Sequence, residues 1–274
     1  MKIKPPVAIG AIFILVLGMV IIFSIKGKST SLSQQASLQG TLSSSEILSR
    51  AVEQEAEGDY LQARALYEKL VNDFPNSPQV GNWQKKAWDF NIKLLFSPTI
   101  TEGSMVYQIK PGDSLDKIAK KFNTTIYLLK KSNNLSSDKI LAGRRLKVWT
   151  KPFNIVVDKS QNILILKSND QIIKTYVVST GINNSTPAGK FKIVNKLIDP
   201  PWFRPGIVVP PGSPDNILGS RWMGFDLESY GIHGTNDNQS LGKQITQGCI
   251  RMSNSDVEEL FALVSTGTEI TIVD

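Results

Sequence analysis

The sequence predicts a multidomain chain with an apolar N-terminal helix, a helical segment, a small β-α-α-β unit and a β-rich C-terminal domain. Three observations predict this division. Residues 7–23 carry no charged side chain, residues 46–97 repeat apolar side chains at helical spacing, and residues 153–274 contain short apolar runs separated by Asn, Asp, Gly and Ser. The 274 residues are enough for about two to three small domains.

The N-terminal apolar run predicts a signal anchor over residues 1–28. Residues 7–23, together with their uncharged neighbours, are just long enough to cross a bilayer, and two lysines stand on each side of them. No small-x-small cleavage site follows the run, so the sequence favours an uncleaved anchor over a cleaved signal peptide. Residues 29–45 are rich in Ser and Gln and predict a flexible linker. The rest of the chain would then lie outside the cytoplasm.

Residues 46–97 predict a helical hairpin. Within them, residues 57–78 (EGDYLQARALYEKLVNDFPNSP) resemble one tetratricopeptide unit. Such units normally stack in about three copies, because one unit cannot bury its apolar face alone. The segment is therefore a structural spacer packed on a neighbour or a docking element for a protein partner.

Residues 104–149 predict a compact β-α-α-β unit of marginal size for independent stability. An alternating strand ends at a Pro-Gly-Asp turn, where Asp113 is placed to cap the following helix. A second helix is predicted over about residues 125–131, and a strand ends the unit. The pattern from Val106 to Val148 resembles a LysM domain, and this resemblance implies binding to glycan chains that contain N-acetylglucosamine.

The net charge of +7 is concentrated in this unit. Residues 101–152 hold 11 basic and 4 acidic side chains, whereas the segments before and after it carry +2 and −2. A basic surface of this kind suits an anionic polymer such as a cell wall, or else is a solvated surface without a specific partner. We find no nucleic-acid-binding motif, so nucleic acid is not an expected partner.

The C-terminal segment, residues 153–274, is predicted to be mostly β-structure. Short strands are predicted near residues 155–157, 163–166, 172–178, 190–194 and 270–273. The clearest helix covers residues 253–264, where Ser255 and Glu258 have the spacing of a capping box.

This segment also holds the only histidine and the only cysteine of the chain, His233 and Cys249. A thiolate is a strong nucleophile, and a nearby imidazole can accept its proton and return it to a leaving amine. Each residue alone is more often an inert structural residue. Both lie in one glycine-rich stretch, residues 230–252, and this favours a catalytic pair.

The stretch HGT followed by TQGCIRM resembles the signature of the L,D-transpeptidases, the YkuD domain, over about residues 153–273. The resemblance implies a mostly antiparallel β-sandwich with few helices, and a location in the bacterial cell envelope. It implies a cysteine acyl-enzyme that forms on peptidoglycan stem peptides with release of D-alanine. One departure is Gln247, where many members of the family carry a second histidine.

The resemblance also assigns roles within the site. Cys249 is the nucleophile and His233 the acid–base group; the two form an ion pair at rest, and the Gly234 carbonyl orients the imidazole. The backbone N–H groups of Gly248 and Cys249 are candidates for the oxyanion hole, and Arg251 binds a substrate carboxylate or forms a structural salt bridge. Aromatic side chains that could line the cleft are Trp202, Trp222 and Tyr230.

The sequence contains no zinc-ligand set and no phosphate-binding loop, so no metal or cofactor is expected. Two alternatives to a transpeptidase stay open. One is an L,D-carboxypeptidase or endopeptidase that uses the same two residues with a different acceptor. The other is a wall-binding scaffold whose catalytic domain is inactive.

Overall fold

A computed structural model describes residues 42–274, which form one compact unit. The predicted anchor, residues 1–28, and residues 29–41 of the predicted linker lie outside the described residues. Within residues 42–274, no helix combines the length and the apolar character that crossing a bilayer requires.

The first part of this unit consists of three helices rather than the predicted hairpin. They are α1 (Ser44–Glu57), α2 (Tyr60–Asp73) and α3 (Val80–Leu95). Helix α1 starts at a capping box, in which the Ser43 hydroxyl accepts from the Glu46 amide and the Glu46 carboxylate accepts from the Ser43 amide. It ends at Gly58, which adopts the left-handed conformation.

Helix α3 attaches these helices to the C-terminal domain. The Asn91 side chain donates to the Ile173 carbonyl at 2.9 Å. The Lys174 ammonium lies 3.3 Å from Asp89 of α3 and 2.9 Å from Glu259. The helical segment is therefore packed on a neighbour, which is one of the two roles that the sequence left open. A protein partner for these helices stays a prediction.

The next unit has the β-α-α-β order that the sequence predicts. Its elements are β1 (Ser104–Gln108), α4 (Leu115–Lys121), α5 (Ile126–Ser132) and β2 (Arg145–Trp149), with β1 and β2 antiparallel. The predicted helix cap is wrong by one position, because Ser114 rather than Asp113 accepts from the first turn of α4. The Asp113 carboxylate instead accepts from the Tyr107 hydroxyl and the Lys110 amide, each at 2.8 Å, and so closes the turn before the helix.

The C-terminal domain is β-rich, as predicted. Its strands are β3 (Phe153–Asp158), β4 (Ile163–Ser168), β5 (Gln171–Val177), β6 (Thr180–Gly181), β7 (Gly189–Ile198), β8 (Trp202–Arg204), β9 (Ile207–Val209), β10 (Arg221–Phe225), β11 (Gly231–His233), β12 (Gln244–Thr246), β13 (Ile250–Arg251) and β14 (Glu269–Val273). One helix, α6 (Asn254–Leu263), and two short 3-10 turns, Ile182–Asn184 and Asn238–Ser240, complete it.

Eight of these strands form one curled sheet instead of the two layers of a sandwich. Its order is β13-β11-β10-β7-β14-β3-β4-β5, and only the β13–β11 and β14–β3 pairs are parallel. Just beyond β5, Ser179 exchanges two backbone hydrogen bonds with Arg251 of β13, at 2.8 and 2.9 Å. This bridge links the two ends of the sheet order, so the sheet curls and its inner face encloses the apolar core.

Helix α6 packs its apolar residues into this core. Its cap is Ser253, whose hydroxyl accepts from the Asp256 amide at 3.1 Å, so the predicted Ser255–Glu258 capping box is wrong. At the other end, the Lys196 ammonium of β7 donates to the carbonyls of Phe261 and Val264, each at 2.6 Å. Burial lowers the pKa of Lys196 to about 7.

The β-α-α-β unit also packs on the C-terminal end of α6. The Thr125 hydroxyl donates to the Ala262 carbonyl, and the Tyr127 ring meets Phe261 edge to face at 5.7 Å. Since the last carbonyls of a helix have no partner within it, Thr125 supplies a bond that α6 cannot make itself. The two domains therefore share a hydrogen-bonded interface.

A buried lysine ties the β-α-α-β unit to the three helices. The Lys147 ammonium of β2 donates to the Leu94 carbonyl at 2.6 Å and to the Ser97 carbonyl at 2.9 Å. Burial lowers the pKa of Lys147 to about 8, because the charged form loses solvation that two carbonyls replace only in part. Residues 97–103, between α3 and β1, are thus fixed at their start.

Candidate active site

The histidine lies on β11, and the cysteine directly precedes β13, the parallel neighbour of β11. Strands β11 and β13 pair Ile232 with Ile250 and His233 with Arg251. Side chains alternate between the two faces of a strand, and both isoleucines are fully buried in the core. His233 and Arg251 therefore share the opposite face, together with Cys249, which directly precedes Ile250. The fold brings together the two residues that the sequence singled out.

The imidazole is held in one tautomer. Its Nδ1 lies 2.7 Å from the Gly234 carbonyl oxygen, which can only accept, so Nδ1 carries the proton and Nε2 has a free lone pair. The Trp222 ring stacks on the imidazole with 6.2 Å between centroids and 18° between planes. His233 is buried, and burial lowers its pKa to about 4. The hydrogen bond to Gly234 acts in the opposite direction, and the Arg251 charge lowers the pKa slightly further.

Cys249 is partly exposed and has two polar neighbours. Its thiol donates to the Ser229 carbonyl at 3.5 Å, and the Gly231 amide donates to the sulfur. Burial raises the pKa of the thiol, although the Gly231 amide and the Arg251 charge act in the opposite direction. The pKa shifts of Cys249 and His233 favour a neutral thiol beside a neutral imidazole at neutral pH. The ion pair expected from the resemblance stays a prediction, and burial of the two groups acts against it.

The loop before the cysteine is fixed by hydroxyl groups. The Thr246 hydroxyl donates to the Cys249 carbonyl at 2.6 Å and accepts from the Gly248 amide at 3.2 Å. On the other side, the Thr186 hydroxyl donates to the Gly248 carbonyl at 2.9 Å and accepts from the Gly181 amide at 2.7 Å. Both threonines are buried, and their hydroxyls satisfy the Gly248 amide, the Gly248 carbonyl and the Cys249 carbonyl.

Gly248 is required by its conformation and by its surroundings. Its φ is +131°, and a Cβ there would lie 2.7 Å from the Tyr230 ring. The predicted aromatic residue Tyr230 therefore borders the nucleophile through Gly248.

The two candidate oxyanion donors, the amides of Gly248 and Cys249, differ in whether the protein already supplies an acceptor. The Gly248 amide already donates to Thr246, whereas within residues 42–274 we find no acceptor for the Cys249 amide. Of the two N–H groups, that of Cys249 is the one without a protein acceptor among the described residues, whereas an oxyanion role of the Gly248 amide stays a prediction.

The Arg251 guanidinium lies beside the pair and is half-buried. It donates from Nη1 to the Ser240 hydroxyl at 3.0 Å, and its buried Nε has no partner. Within the part of the chain that the structure describes, no carboxylate lies within 4.0 Å of it, so the structural salt bridge is not found. The guanidinium can still donate hydrogen bonds to a carboxylate of a ligand.

The other two predicted aromatic residues, Trp222 and Trp202, differ in whether they contact the cysteine–histidine pair. Trp222 touches the imidazole, and its indole N–H donates to the Asn195 side chain at 3.0 Å. Trp202 lies on the β8–β9 hairpin, where it pairs with Val209 and packs under the Arg204 guanidinium at 4.7 Å. None of the contacts found for Trp202 joins it to the cysteine–histidine pair. Elsewhere in residues 42–274, we find no group of three acidic, His or Cys side chains arranged to hold a metal ion.

Several residues around the pair were not singled out from the sequence. They are Thr186, Asn195, Ser229, Ser240 and Asn254. Each is an ordinary polar residue, and its contact with the site joins positions at least 11 residues apart along the chain. No local pattern marks such residues.

Comparison with known proteins gives a family for each of the two C-terminal domains. The family model of the L,D-transpeptidase catalytic domain matches residues 152–272, and that of the LysM domain matches residues 107–149. The Bacillus licheniformis protein YkuD, described as an L,D-transpeptidase, is 37% identical over 176 residues, or 61% of this chain and 98% of its own length. YqjB of Bacillus subtilis, described likewise, is 40% identical over 126 residues, or 44% of this chain and 70% of its own length.

A solved L,D-transpeptidase structure from Mycobacterium smegmatis aligns with 49% of this chain and 65% of that chain, at 17% identity and a TM-score of 0.40. The sequence matches define the class of protein: the chain belongs to the L,D-transpeptidase family, and its catalytic domain is preceded by a LysM domain.

Proposed function

We propose that this protein cross-links peptidoglycan stem peptides through an acyl-enzyme on Cys249. The observation that carries the proposal is the pairing of β11, which holds His233, with β13, which Cys249 directly precedes, together with the imidazole Nε2 left free to take a proton. The acyl donor is a tetrapeptide stem, and the bond broken is the amide between its third residue and the terminal D-alanine.

In the first step, the Cys249 sulfur attacks the amide carbon while its proton moves to Nε2 of His233. The developing oxyanion accepts from the free Cys249 amide. The carbon–nitrogen bond then breaks, and the imidazolium gives its proton to the departing D-alanine amine. Because burial lowers the pKa of His233 to about 4, the imidazolium is more acidic than a free one and so gives its proton more readily to the leaving amine.

The second step returns the site to its starting state. An amine of a neighbouring stem attacks the thioester carbon, His233 removes a proton from this amine, and the sulfur leaves as a thiol after it regains that proton. If water reaches the thioester first, the product is a tripeptide, and the protein acts as a carboxypeptidase. Because Cys249 is partly exposed, water can compete with the amine for the thioester.

Arg251 is proposed to bind a carboxylate of the donor stem. The unpartnered Nε and the half-buried guanidinium support this role, since a planar guanidinium can bind a carboxylate with two parallel hydrogen bonds. Trp222 and Tyr230 would form walls of the donor site next to His233 and Gly248. Trp202 would contact the substrate only further out, from the β8–β9 hairpin.

The LysM domain is proposed to hold the enzyme on glycan chains that contain N-acetylglucosamine. Its contacts with α6 through Thr125 and with α3 through Lys147 support a fixed distance between bound glycan and active site. The location that fits both domains is the cell envelope outside the cytoplasm. Membrane attachment by residues 1–28 is proposed from the sequence alone.

The proposal is tested with the full-length protein, purified tetrapeptide stems and mass spectrometry, with Cys249→Ala as the matched control. The chain has a single cysteine, so an acyl adduct is assigned without ambiguity. We expect an adduct with loss of D-alanine, followed by a cross-linked dimer. Tripeptide without dimer would assign the carboxypeptidase, and the absence of both adduct and turnover, with wall binding intact, would leave the inactive scaffold.

A further inference from the structure

The first residue of α6, Asn254, is wedged between two backbone segments of the active site. Its Oδ1 accepts from the Ser220 amide at 2.9 Å, and its Nδ2 donates to the Asn236 side chain at 3.4 Å. A Cβ on Gly219 or on Gly234 would fall well inside contact distance of the same Oδ1. The amide group of Asn254 therefore occupies space that only two glycines leave free.

One of these glycines is the residue that orients the catalytic histidine. The Gly234 carbonyl accepts from Nδ1 of His233, and the Gly234 amide donates to the Arg221 carbonyl at 3.2 Å. Asn254 packs against Gly234 and binds the neighbouring segment at Ser220, so it closes the turn around this carbonyl. A change at Asn254 would free the carbonyl to rotate and would leave the Ser220 amide without its acceptor.

We propose that Asn254 is a positioning residue that fixes the Gly234 carbonyl and thereby keeps His233 in the tautomer protonated at Nδ1. It does not touch the thiol, and it acts through Gly234. The catalytic consequence rests on the proposed function, because only the Nδ1–H tautomer offers a free Nε2 to the Cys249 proton. The structural consequence, the tautomer itself, does not depend on that function.

The test compares Asn254→Ala and Asn254→Asp with the wild type in the full-length protein. The aspartate variant keeps an oxygen that can accept from Ser220. The alanine variant has no side-chain oxygen to accept from the Ser220 amide. Ser255→Ala is the matched control, since Ser255 is an exposed neighbour in the same helical turn whose hydroxyl reaches only Ser253.

The first measurement is the 15N NMR spectrum of the imidazole, which reports the tautomer directly because the chain has one histidine. We expect the Nδ1–H form in the wild type, in Ser255→Ala and in Asn254→Asp, and a mixture of tautomers in Asn254→Ala. Wild-type tautomer in a folded Asn254→Ala variant would overturn the proposal, even if that variant were less stable.

The second measurement is the steady-state rate of D-alanine release. Displacing a group that orients a catalytic residue typically lowers activity about 10- to 100-fold. We expect a loss of this size in kcat of Asn254→Ala with KM unchanged, and recovery of most of it in Asn254→Asp. A rise in KM alone would contradict the positioning role. If the wild type releases no D-alanine, the proposed function fails, while the NMR result still decides the role of Asn254.

Discussion

The cysteine side and the histidine side of the active site are adjacent strands, yet they are held by different parts of the molecule. The loop at Cys249 is fixed by nearby hydroxyl groups, Thr246 and Thr186, and by the conformation of Gly248. The loop at His233 is fixed by α6 through Asn254 and by the stacked ring of Trp222.

This difference separates two requirements of the chemistry. In the proposed mechanism the nucleophile needs a defined backbone, since its own amide would donate to the oxyanion. The base needs a defined ring orientation and a dry environment, since both decide which nitrogen takes the proton and at what pKa. The cysteine side should therefore respond most to backbone changes, and the histidine side to changes in burial and in the packing of α6.

The largest effect is expected from Gly248→Ala, which distorts the loop that precedes Cys249. At a φ of +131° an alanine is strained, and its Cβ would lie 2.7 Å from the Tyr230 ring and 3.3 Å from the Ser185 carbonyl oxygen. Strain and overpacking together are expected to lower the free energy of unfolding by about 3 kcal/mol. Displacement of the loop is expected to lower kcat/KM by about 100-fold.

Gly242→Ala is the matched control for this change. Gly242 also has a positive φ, of +80°, but its nearest neighbour for a new Cβ is Val177 at 3.7 Å. We expect a loss of stability of about 1 kcal/mol and nearly wild-type kcat/KM. Urea unfolding and D-alanine release measure both variants. Equal activity of the two variants would show that the Gly248 conformation does not matter to the nucleophile.

A smaller effect, on the histidine side, is expected in the dependence of stability on pH. The pKa of His233 is about 4 in the folded state against 6.5 for a free imidazole. Between these values the unfolded chain binds a proton that the folded protein does not, so stability falls as the pH falls through this window. From pH of about 7 to about 4.5 the contribution of this one group falls by about 2 kcal/mol.

His233→Gln removes the titration while keeping a side chain that can donate to Gly234. Its free energy of unfolding should therefore fall less between the two pH values than that of the wild type, by about 2 kcal/mol. Urea unfolding at both pH values measures the difference. If both proteins lost the same stability, the low pKa of the buried imidazole would be contradicted.

The same contrast explains what the sequence could and could not predict. Cys249 and His233 were identified because they are the only residues of their types and lie in one glycine-rich stretch. Five strands of the C-terminal domain (β3, β4, β5, β7 and β14) followed from short apolar runs between turn residues. Each of these signals is local, and local patterns are read directly from the chain.

The remainder depends on contacts between distant segments. Alternation indicates which face of a strand is buried but not that Ser179 meets Arg251 and curls the sheet. Asn254 acts on Gly234, twenty residues away along the chain. The helix cap at Ser253 was missed because Ser255 offers an equally good pattern, and only the backbone turn decides between them.

The smallest effect is expected from Thr246→Val, which tests how much the Thr246 hydroxyl contributes to the loop at Cys249. Valine keeps the shape of threonine but leaves the Gly248 amide and the Cys249 carbonyl without the hydroxyl that serves both. We expect a loss of about 1 kcal/mol in the free energy of unfolding and a fall in kcat of about 10-fold. Thr246→Ser keeps the hydroxyl and is the control, for which both values should stay near those of the wild type.

Thr246→Val also separates two roles of the Gly248 amide. If Thr246 only holds the loop, its loss lowers kcat as described, because the Cys249 amide is then less well placed. If kcat instead rose, the freed Gly248 amide would act as a second oxyanion donor, one that is normally bonded to Thr246. The Thr246 hydroxyl would then not be a support of the nucleophile. Stopped-flow measurement of the acylation step decides between these results, because the oxyanion forms in that step.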